Sequence, residues 1–297
     1  MAVQAMPIIA PLSRWSSRLA LFFVSLLLIA LLVHRAGLMP TTLALNLFAV
    51  GLAGAACAVL VGLAALGHIW HAGRAGALNV AVGILLPLLV FAGPAGYFAA
   101  SHNLPRINDV TTDIAAPPKF VKLAARSADA NASEYPGAHF AALQAKAYPD
   151  IRTLIVDRSV DEAFEVVEEV ARRLRWQVVS SGIRVSKPPA KVGTLEATDQ
   201  TLLVGFVDDI AVRVEGTSTR ARIDARSASR YGRFDFGQNA ARVRYFLAEV
   251  ALRTDISTPA IAASRRLRNA RARAALKRKK ARDQRKANPR NARGRGQ

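Results

Sequence analysis

Apolar positions follow two regimes along this chain: unbroken runs before residue 100 and periodic stripes after residue 150. Residues 19–33 contain one polar side chain, Ser25, and are bounded by Arg18 and by His34-Arg35. Extended to 15–38, the segment reaches the roughly 20 residues needed to cross ~30 Å of hydrocarbon, with Trp15 and Arg18 placed as interfacial anchors. No small-x-small site follows the run, so it predicts an uncleaved helix rather than a signal peptide. Residues 43–66 form a second span, with Gly54, Ala58 and Gly62 at spacings of four. Small residues so placed let helices approach closely in lipid. Residues 77–100 form a third, interrupted by Pro87 and Pro94, which a membrane helix tolerates at a kink. The apolar cores of the three spans hold no Asp, Glu, Lys or Arg. Transporters usually place such groups at the midplane, so the pattern argues against transport.

Residues 101–150 are rich in Pro, Ala, Ser and Asn without sustained periodicity, and read as an irregular connector lying on the domain that follows. A short strand is predicted at 153–156. Ser159 and Glu162 then form a capping box, each side chain satisfying an otherwise orphan amide at a helix start. Ala163, Phe164, Val167, Val170, Ala171 and Leu174 recur on one face of that helix. Strands follow at 176–180, 194–206, 210–215 and 220–229, with turns at 207–209 and 216–218. In the last strand Ala221, Ile223 and Ala225 alternate with Arg220, Arg222, Asp224 and Arg226. A final helix opens near Asp235, with Gln238 completing a second capping box and Phe236, Ala240, Val243, Leu247 and Val250 at helical spacing. The order is β-α-β-β-β-β-α. It predicts a two-layer α+β sandwich over 151–255, a mostly antiparallel sheet with both helices on one face.

The adjacent acids Asp208 and Asp209 interrupt an otherwise apolar strand. In an unbroken strand Asp208 would share a face with Ile210 and Val212, and an unpaired carboxylate there would cost several kcal/mol. Neighbouring strand residues point to opposite faces, so the two acids cannot converge on one metal or substrate. The reading that follows is an exposed turn, at which Asp208→Asn changes stability by less than about 0.5 kcal/mol.

Charge changes the picture only at the C-terminus. Fifteen of the 41 basic residues and one acid, Asp283, lie after Ser264, leaving that stretch at +14 of the formal +20. The segment 256–297 has too little apolar surface to fold, which predicts a disordered basic tail. Its charge suits a polyanion, and three membrane spans make anionic lipid headgroups the nearest one. It lacks aromatic residues for base stacking, so specific nucleic-acid recognition is not expected.

Chemistry-bearing motifs are absent: there is no GxSxG, HExxH, CxxC or phosphate loop. The sole cysteine, Cys57, sits in the second apolar run, so no intrachain disulfide or cysteine zinc site can form. His68 and His71, with no carboxylate near, read as an interfacial loop between spans two and three. No catalytic, cofactor or metal residue is assigned. What remains is a polar corner where the last strand meets the last helix: Arg226, Ser227, Ser229, Arg230, Asp235, Asn239 and Arg242. It reads either as a salt-bridged corner or as an anion- or polymer-binding groove at a helix N-terminus.

The blocks "INDVTTDIAAPPKF" (107–120), "YPDI" (148–151), "EATDQTLLVGFVDDIAVRV" (196–214) and "IDARSASRYGRFDFGQNAARVRYF" (223–246) resemble those of the bacterial and plastid family called domain of unknown function 1499. The resemblance covers roughly residues 103–252. It implies a small α+β domain, commonly exported or membrane-tethered, with no established reaction. The expected organisation is a three-helix membrane region (1–100), a connector (101–150), the domain (151–255) and the tail (256–297). Arg14 and Arg18 against Arg35 favour a cytoplasmic N-terminus and, after three spans, a periplasmic domain on a bacterial inner membrane. The expected role is a membrane-anchored, non-enzymatic envelope module for binding or assembly. The alternatives are an enzyme using the 226–242 corner and a membrane tether holding nucleic acid through the tail.

Overall fold

The structure, a computed structural model, describes residues 9–185 and 191–256. The chain divides into two compact units, Met1–Phe246 and Leu247–Gln297.

Three helices, α1 (Pro11–Arg35), α2 (Thr41–Ala72) and α3 (Ala77–Ser101), are each long and apolar enough to cross a membrane. Pro11 starts α1, where its missing N–H would have no helical partner anyway. The small residues at spacings of four are the seam between the helices: Gly54, Ala58 and Gly62 are all buried. A Cβ on Gly54 would fall 2.3 Å from the Phe23 ring, and one on Gly62 would fall 2.7 Å from both Ile84 and Ser16 Oγ. The Ser16 hydroxyl donates to the Ala58 carbonyl (2.9 Å), joining α1 to α2. Helix α2 continues to Ala72, so His68 and His71 lie on its last turns rather than in a loop. Gly73 ends it in the left-handed conformation (φ 61°) that glycine adopts without cost.

The rest of the first unit is built on one antiparallel sheet. Its elements are β1 (Asp109–Thr111), α4 (Ala138–Ala147), β2 (Leu154–Val156), α5 (Val160–Arg173), β3 (Gln177–Val185), β4 (Lys191–Gln200), β5 (Val207–Gly216), β6 (Ala221–Ser229) and the start of α6 (Gln238–Ile256), which runs on into the second unit. From β2 onward the order is the β-α-β-β-β-β-α of the sequence reading. The strand order is β1-β6-β5-β4-β3, with β2 also on β6. Strand β1 pairs Asp109 with Ala228, and β2 pairs Leu154 with Ile223, so both extend along the same edge of β6. The connector is thus not irregular throughout: it supplies β1 and α4.

Alternation gives the sheet two chemically distinct faces. Register places Leu195, Ala197, Ile210, Val212, Val214, Ile223 and Ala225 on one, all buried. Helix α5 covers this face because its capped, amphipathic sequence offers Ala163, Phe164, Val167 and Val170 to it. Phe164 packs over Gly193, where a Cβ would sit 2.5 Å from its ring. Each such aliphatic or aromatic side chain contributes about 1.5–3 kcal/mol through burial. The other face carries Glu196, Thr198, Asp209, Arg213, Asp224 and Arg226. It too is covered, by residues 112–136, where Phe120 and Leu123 pack on Ala211 and Ala228.

The turn expected at 207–209 does not form there. Strand β4 ends at Gln200, the chain reverses over residues 201–206, and both aspartates lie inside β5, buried. Each carboxylate has a cation at contact distance: Arg242 for Asp208 (2.8 Å), Arg126 (2.8 Å) and Arg230 (2.7 Å) for Asp209. The desolvation cost that argued for a turn is offset by ion pairs whose partners lie far along the chain. The small effect expected of Asp208→Asn is withdrawn with it.

At the start of α6, Asp235 accepts the amides of Gly237 (2.9 Å) and Asn239 (2.8 Å). Gln238 does not reach back to close a capping box; its side-chain amide donates to Tyr97 Oη (2.6 Å). In the second unit, Arg253 pairs with Glu249 one turn back (3.1 Å). The basic tail lies outside the described residues.

Candidate functional site

The seven residues of the predicted corner separate across the sheet. Ser227, Ser229, Asn239 and Arg242 meet on the helix-covered side. Asn239 bridges Ser227 Oγ (2.6 Å), Ser229 Oγ (3.0 Å) and the Asn108 carbonyl (3.0 Å). Arg242 reaches Asp199 (2.8 Å), Asp208 (2.8 Å), Ser227 (3.0 Å) and Asn239 (2.9 Å). Its donors are engaged within the fold. Asp235 caps α6, and burial, opposed by the two amides it accepts, raises its carboxyl above the ordinary range.

Arg226 and Arg230 belong to the opposite face and to an ionic layer that sequence reasoning did not anticipate. Arg226 is buried and grips Asp109 of β1 with two nitrogens, Nε to Oδ1 (3.0 Å) and Nη2 to Oδ2 (2.6 Å). It also donates to the carbonyls of Pro118 (3.3 Å) and Ser133 (2.9 Å), and its plane lies over the rings of Phe120 and Tyr135. Glu196 accepts three successive amides, those of Val121, Lys122 and Leu123. Asp224 accepts the hydroxyls of Thr112 (2.9 Å) and Thr153 (2.6 Å) and pairs with Arg213 (3.1 Å). These contacts fasten the connector to the sheet by charge-assisted hydrogen bonds, which are stronger than neutral ones.

A cleft of ≈ 570 Å³ opens beside this layer, lined among others by Arg106, Asp109, Arg126, Asn131, Tyr135 and Arg233. Arg126 is one of three arginines on its wall. Its Nη1 donates to the carbonyls of Asn131 (3.0 Å) and Ala132 (2.9 Å), and its Nη2 stands 2.8 Å from Asp209 Oδ2. That last contact is an ion pair between two buried groups. Arg126 Nε and Tyr135 Oη are buried donors with no hydrogen-bond partner among the described residues. Burial first, and the negative charge of Asp109 second, push the Tyr135 phenol up to about 12, so it keeps its proton at physiological pH. Burial also pulls the Arg126 guanidinium below its ordinary value, against the opposing charge of Asp209. Arg126 and Tyr135 both line the cleft, and each has a buried donor atom that no described residue satisfies. Among the described residues no group of three or more His, Cys, Asp or Glu is placed to hold a metal.

Asp109, Arg126 and Tyr135 come from the segment read as a connector, which gave no periodic signal. The sequence did carry one trace of them: the polar alternation of β6 leaves Arg222, Asp224 and Arg226 on a face that a two-layer fold would leave bare.

Residues 109–250 match the family model described as "Protein of unknown function (DUF1499)". The match begins at β1 and ends within α6, leaving α1–α3 outside it. No curated protein matches the chain. Among solved structures, the Zhui aromatase/cyclase from Streptomyces sp. R1128 aligns at 12% identity over 35% of this chain and 84% of its own. Its TM-score is 0.14, a likeness too slight to carry an argument.

Proposed function

From a DUF1499 domain carried behind three helices able to cross a membrane, we propose a membrane-anchored binding module of the bacterial envelope, non-enzymatic, that takes a ligand group bearing acceptor oxygens in the cleft beside Arg126. One observation carries this reading: Arg126 Nε and Tyr135 Oη are buried donors with no hydrogen-bond partner among the described residues. An orphaned buried donor costs about 1–3 kcal/mol, which an acceptor in the cleft would recover. The test uses the full chain in detergent micelles, with inorganic phosphate and acetate as probes against chloride at equal ionic strength. A probe at a hundredfold its Kd stabilises the fold by about 2.7 kcal/mol. The wild type and Tyr245→Phe, a change at an exposed tyrosine of α6, should show the resulting rise in Tm, and Tyr135→Phe should lose it. Equal shifts in all three proteins would remove the cleft from consideration.

The domain is assigned to the periplasmic side of the inner membrane, supported by Arg14 and Arg18 before the first span against Arg35 after it. A phosphatase fused after Leu252 should therefore be active and a fluorescent protein fused there dark. The reverse pattern would place the domain in the cytoplasm. The basic tail is assigned to anionic headgroups, each Lys or Arg near the surface adding about 1 kcal/mol. A peptide spanning 264–297 should sediment with anionic vesicles, leave neutral ones alone and release as salt rises; equal binding to both would refute the assignment.

A further inference from the structure

The turn joining β4 to β5 has the wrong composition for a turn in water. Residues 201–206 read Thr-Leu-Leu-Val-Gly-Phe, where Asn, Asp, Gly, Pro and Ser ordinarily dominate. Leu202 and Leu203 are 84% and 77% exposed. The turn itself is well built. Thr201 N–H donates to the Phe206 carbonyl (2.9 Å), Gly205 N–H to the Thr201 carbonyl (3.0 Å), and Phe206 N–H to Thr201 Oγ1 (2.9 Å). Gly205 takes a φ of 80°, open to glycine and strained for other residues. The two leucines are therefore held outward by a closed hydrogen-bonded frame rather than left on a loose loop.

The location of this turn supplies the partner. It docks on the C-terminal end of α1, where the apolar run 19–33 gives way to His34 and Arg35. His34 Nδ1 donates to the Val204 carbonyl (2.8 Å), and its ring meets Phe206 with centroids 5.6 Å apart. Arg35 donates to Gln200 Oε1 (2.8 Å), and a Cβ on Gly205 would lie 3.1 Å from Arg35 Cδ. Leu38, 79% exposed, follows in the α1–α2 loop at the same end. The end of α3 is tied down as well, with Tyr97 bonded to Gln238 and its ring 5.0 Å from that of Phe236. When three consecutive helices cross a bilayer, the ends of the first and third emerge on the same side. Both domain attachments therefore sit at one membrane boundary, and the exposed leucines lie beside the point where the first helix leaves the hydrocarbon.

We propose that the β4–β5 turn is a membrane-seating wedge that places Leu202 and Leu203 in the interfacial layer of the bilayer crossed by α1–α3. Apolar side chains inserted next to a basic residue are the usual chemistry of surface-bound elements that do not span. Arg35 supplies that basic flank at headgroup level. The wedge adds a direct contact with the bilayer to the docking of the turn on α1 and the covalent link through α3, and fixes the tilt of the domain. It rests on the helices being membrane-embedded.

The experiment separates the two ideas. In a Cys57→Ala background, which removes the sole cysteine, a polarity-sensitive dye is attached in turn to Leu203→Cys, Leu28→Cys and Ser218→Cys in the full chain reconstituted into liposomes. Leu28 lies mid-run in α1, and Ser218 is exposed in the turn after β5, ~30 Å along that strand from the proposed wedge. The dye at 203 should emit to the blue of that at 218, be quenched severalfold more by shallow nitroxide lipids, and be severalfold less accessible to aqueous iodide. If 28 is lipid-quenched while 203 behaves like 218, the wedge is refuted and the membrane reading stands. If 28 is also untouched by lipid quencher, both fall. Protection of 203 from iodide without lipid quenching, increasing with protein density, would refute the wedge in favour of contact with a second copy.

Discussion

Asp209→Asn should destabilise the domain by about 3–5 kcal/mol, the cost of breaking a buried ion pair by removing one partner. Asn is nearly the same size and shape, so the packing is kept and only the charge is lost. That charge faces two cations: Arg126 Nη2 at 2.8 Å and Arg230 Nη2 at 2.7 Å, with the Asp209 side chain fully buried. Arg126 cannot retreat to water, because its side chain is 4% exposed and Nη1 is bound to two carbonyls. Arg230 can, being 30% exposed, which sets the estimate at one abandoned guanidinium rather than two. The comparison is Asp157→Asn, whose pair with Arg220 is solvent-exposed on both sides and should change stability by no more than ~0.5 kcal/mol. Denaturant unfolding of the full chain, followed by near-ultraviolet dichroism, decides between them. Equal small losses at both positions would mean that the ionic layer is wet and the connector only loosely laid on it.

The second large effect is expected at Arg226 and Asp109. Arg226→Met leaves the Asp109 carboxylate buried without its bidentate partner and should also cost about 3–5 kcal/mol. Asp109→Leu should do the same from the other side. The double variant should be less damaged than the sum of the two, with a coupling of about 0.5–3 kcal/mol. Recovery will be incomplete, because the carbonyls of Pro118 and Ser133 also lose their donor. The single Arg226→Met variant carries a pH signature. Burial, opposed by the hydrogen bond and charge of Arg226, already raises the Asp109 carboxyl above its usual range. Removing the arginine deletes that opposition and pushes the carboxyl further up. A folded-state pKa above the unfolded one favours the protonated fold, so the contribution is fully present below about 3.9, the unfolded value. It is lost as pH rises through the raised value. The penalty of Arg226→Met relative to wild type should therefore shrink on acidification; a penalty flat from pH 4 to 8, or one that grows in acid, would mean Asp109 is solvated.

Where periodicity had something to bury, the sequence was legible. The Ser159–Glu162 capping box and the stripe beginning at Ala163 and Phe164 place α5, and alternation in 220–229 places β6, because both patterns report one apolar face. Asp208 and Asp209 were misread because a strand pattern prices a buried charge as unpaired. Their partners Arg126, Arg230 and Arg242 lie between 21 and 83 residues away, where no local window can reach. The apolar turn failed in the opposite direction, since Leu202-Leu203-Val204 continues a strand pattern and only Gly205 marks the reversal. The cleft was invisible for a related reason. Arg126 and Tyr135 sit in an aperiodic segment, and their environment is made by Asp109, Phe120 and Arg226 only after folding.

The pairing of β1 with β6 also fixes an order of events during synthesis. Asp109 meets Arg226 across 117 residues of chain, one of the longest closures in the fold. Contacts of such separation form late, because the entropy of closing the loop is spent before any of them is rewarded. The connector therefore leaves the ribosome, directly behind three hydrophobic spans, well before the strand it must cover exists. A wholly apolar connector kept waiting in this way would be prone to aggregate beside a membrane. One that docks largely through Asp109, Arg126 and backbone amides stays hydrated until the last strand arrives. The ionic layer, costly as a source of equilibrium stability, is well suited to a nascent chain whose connector must wait for its sheet.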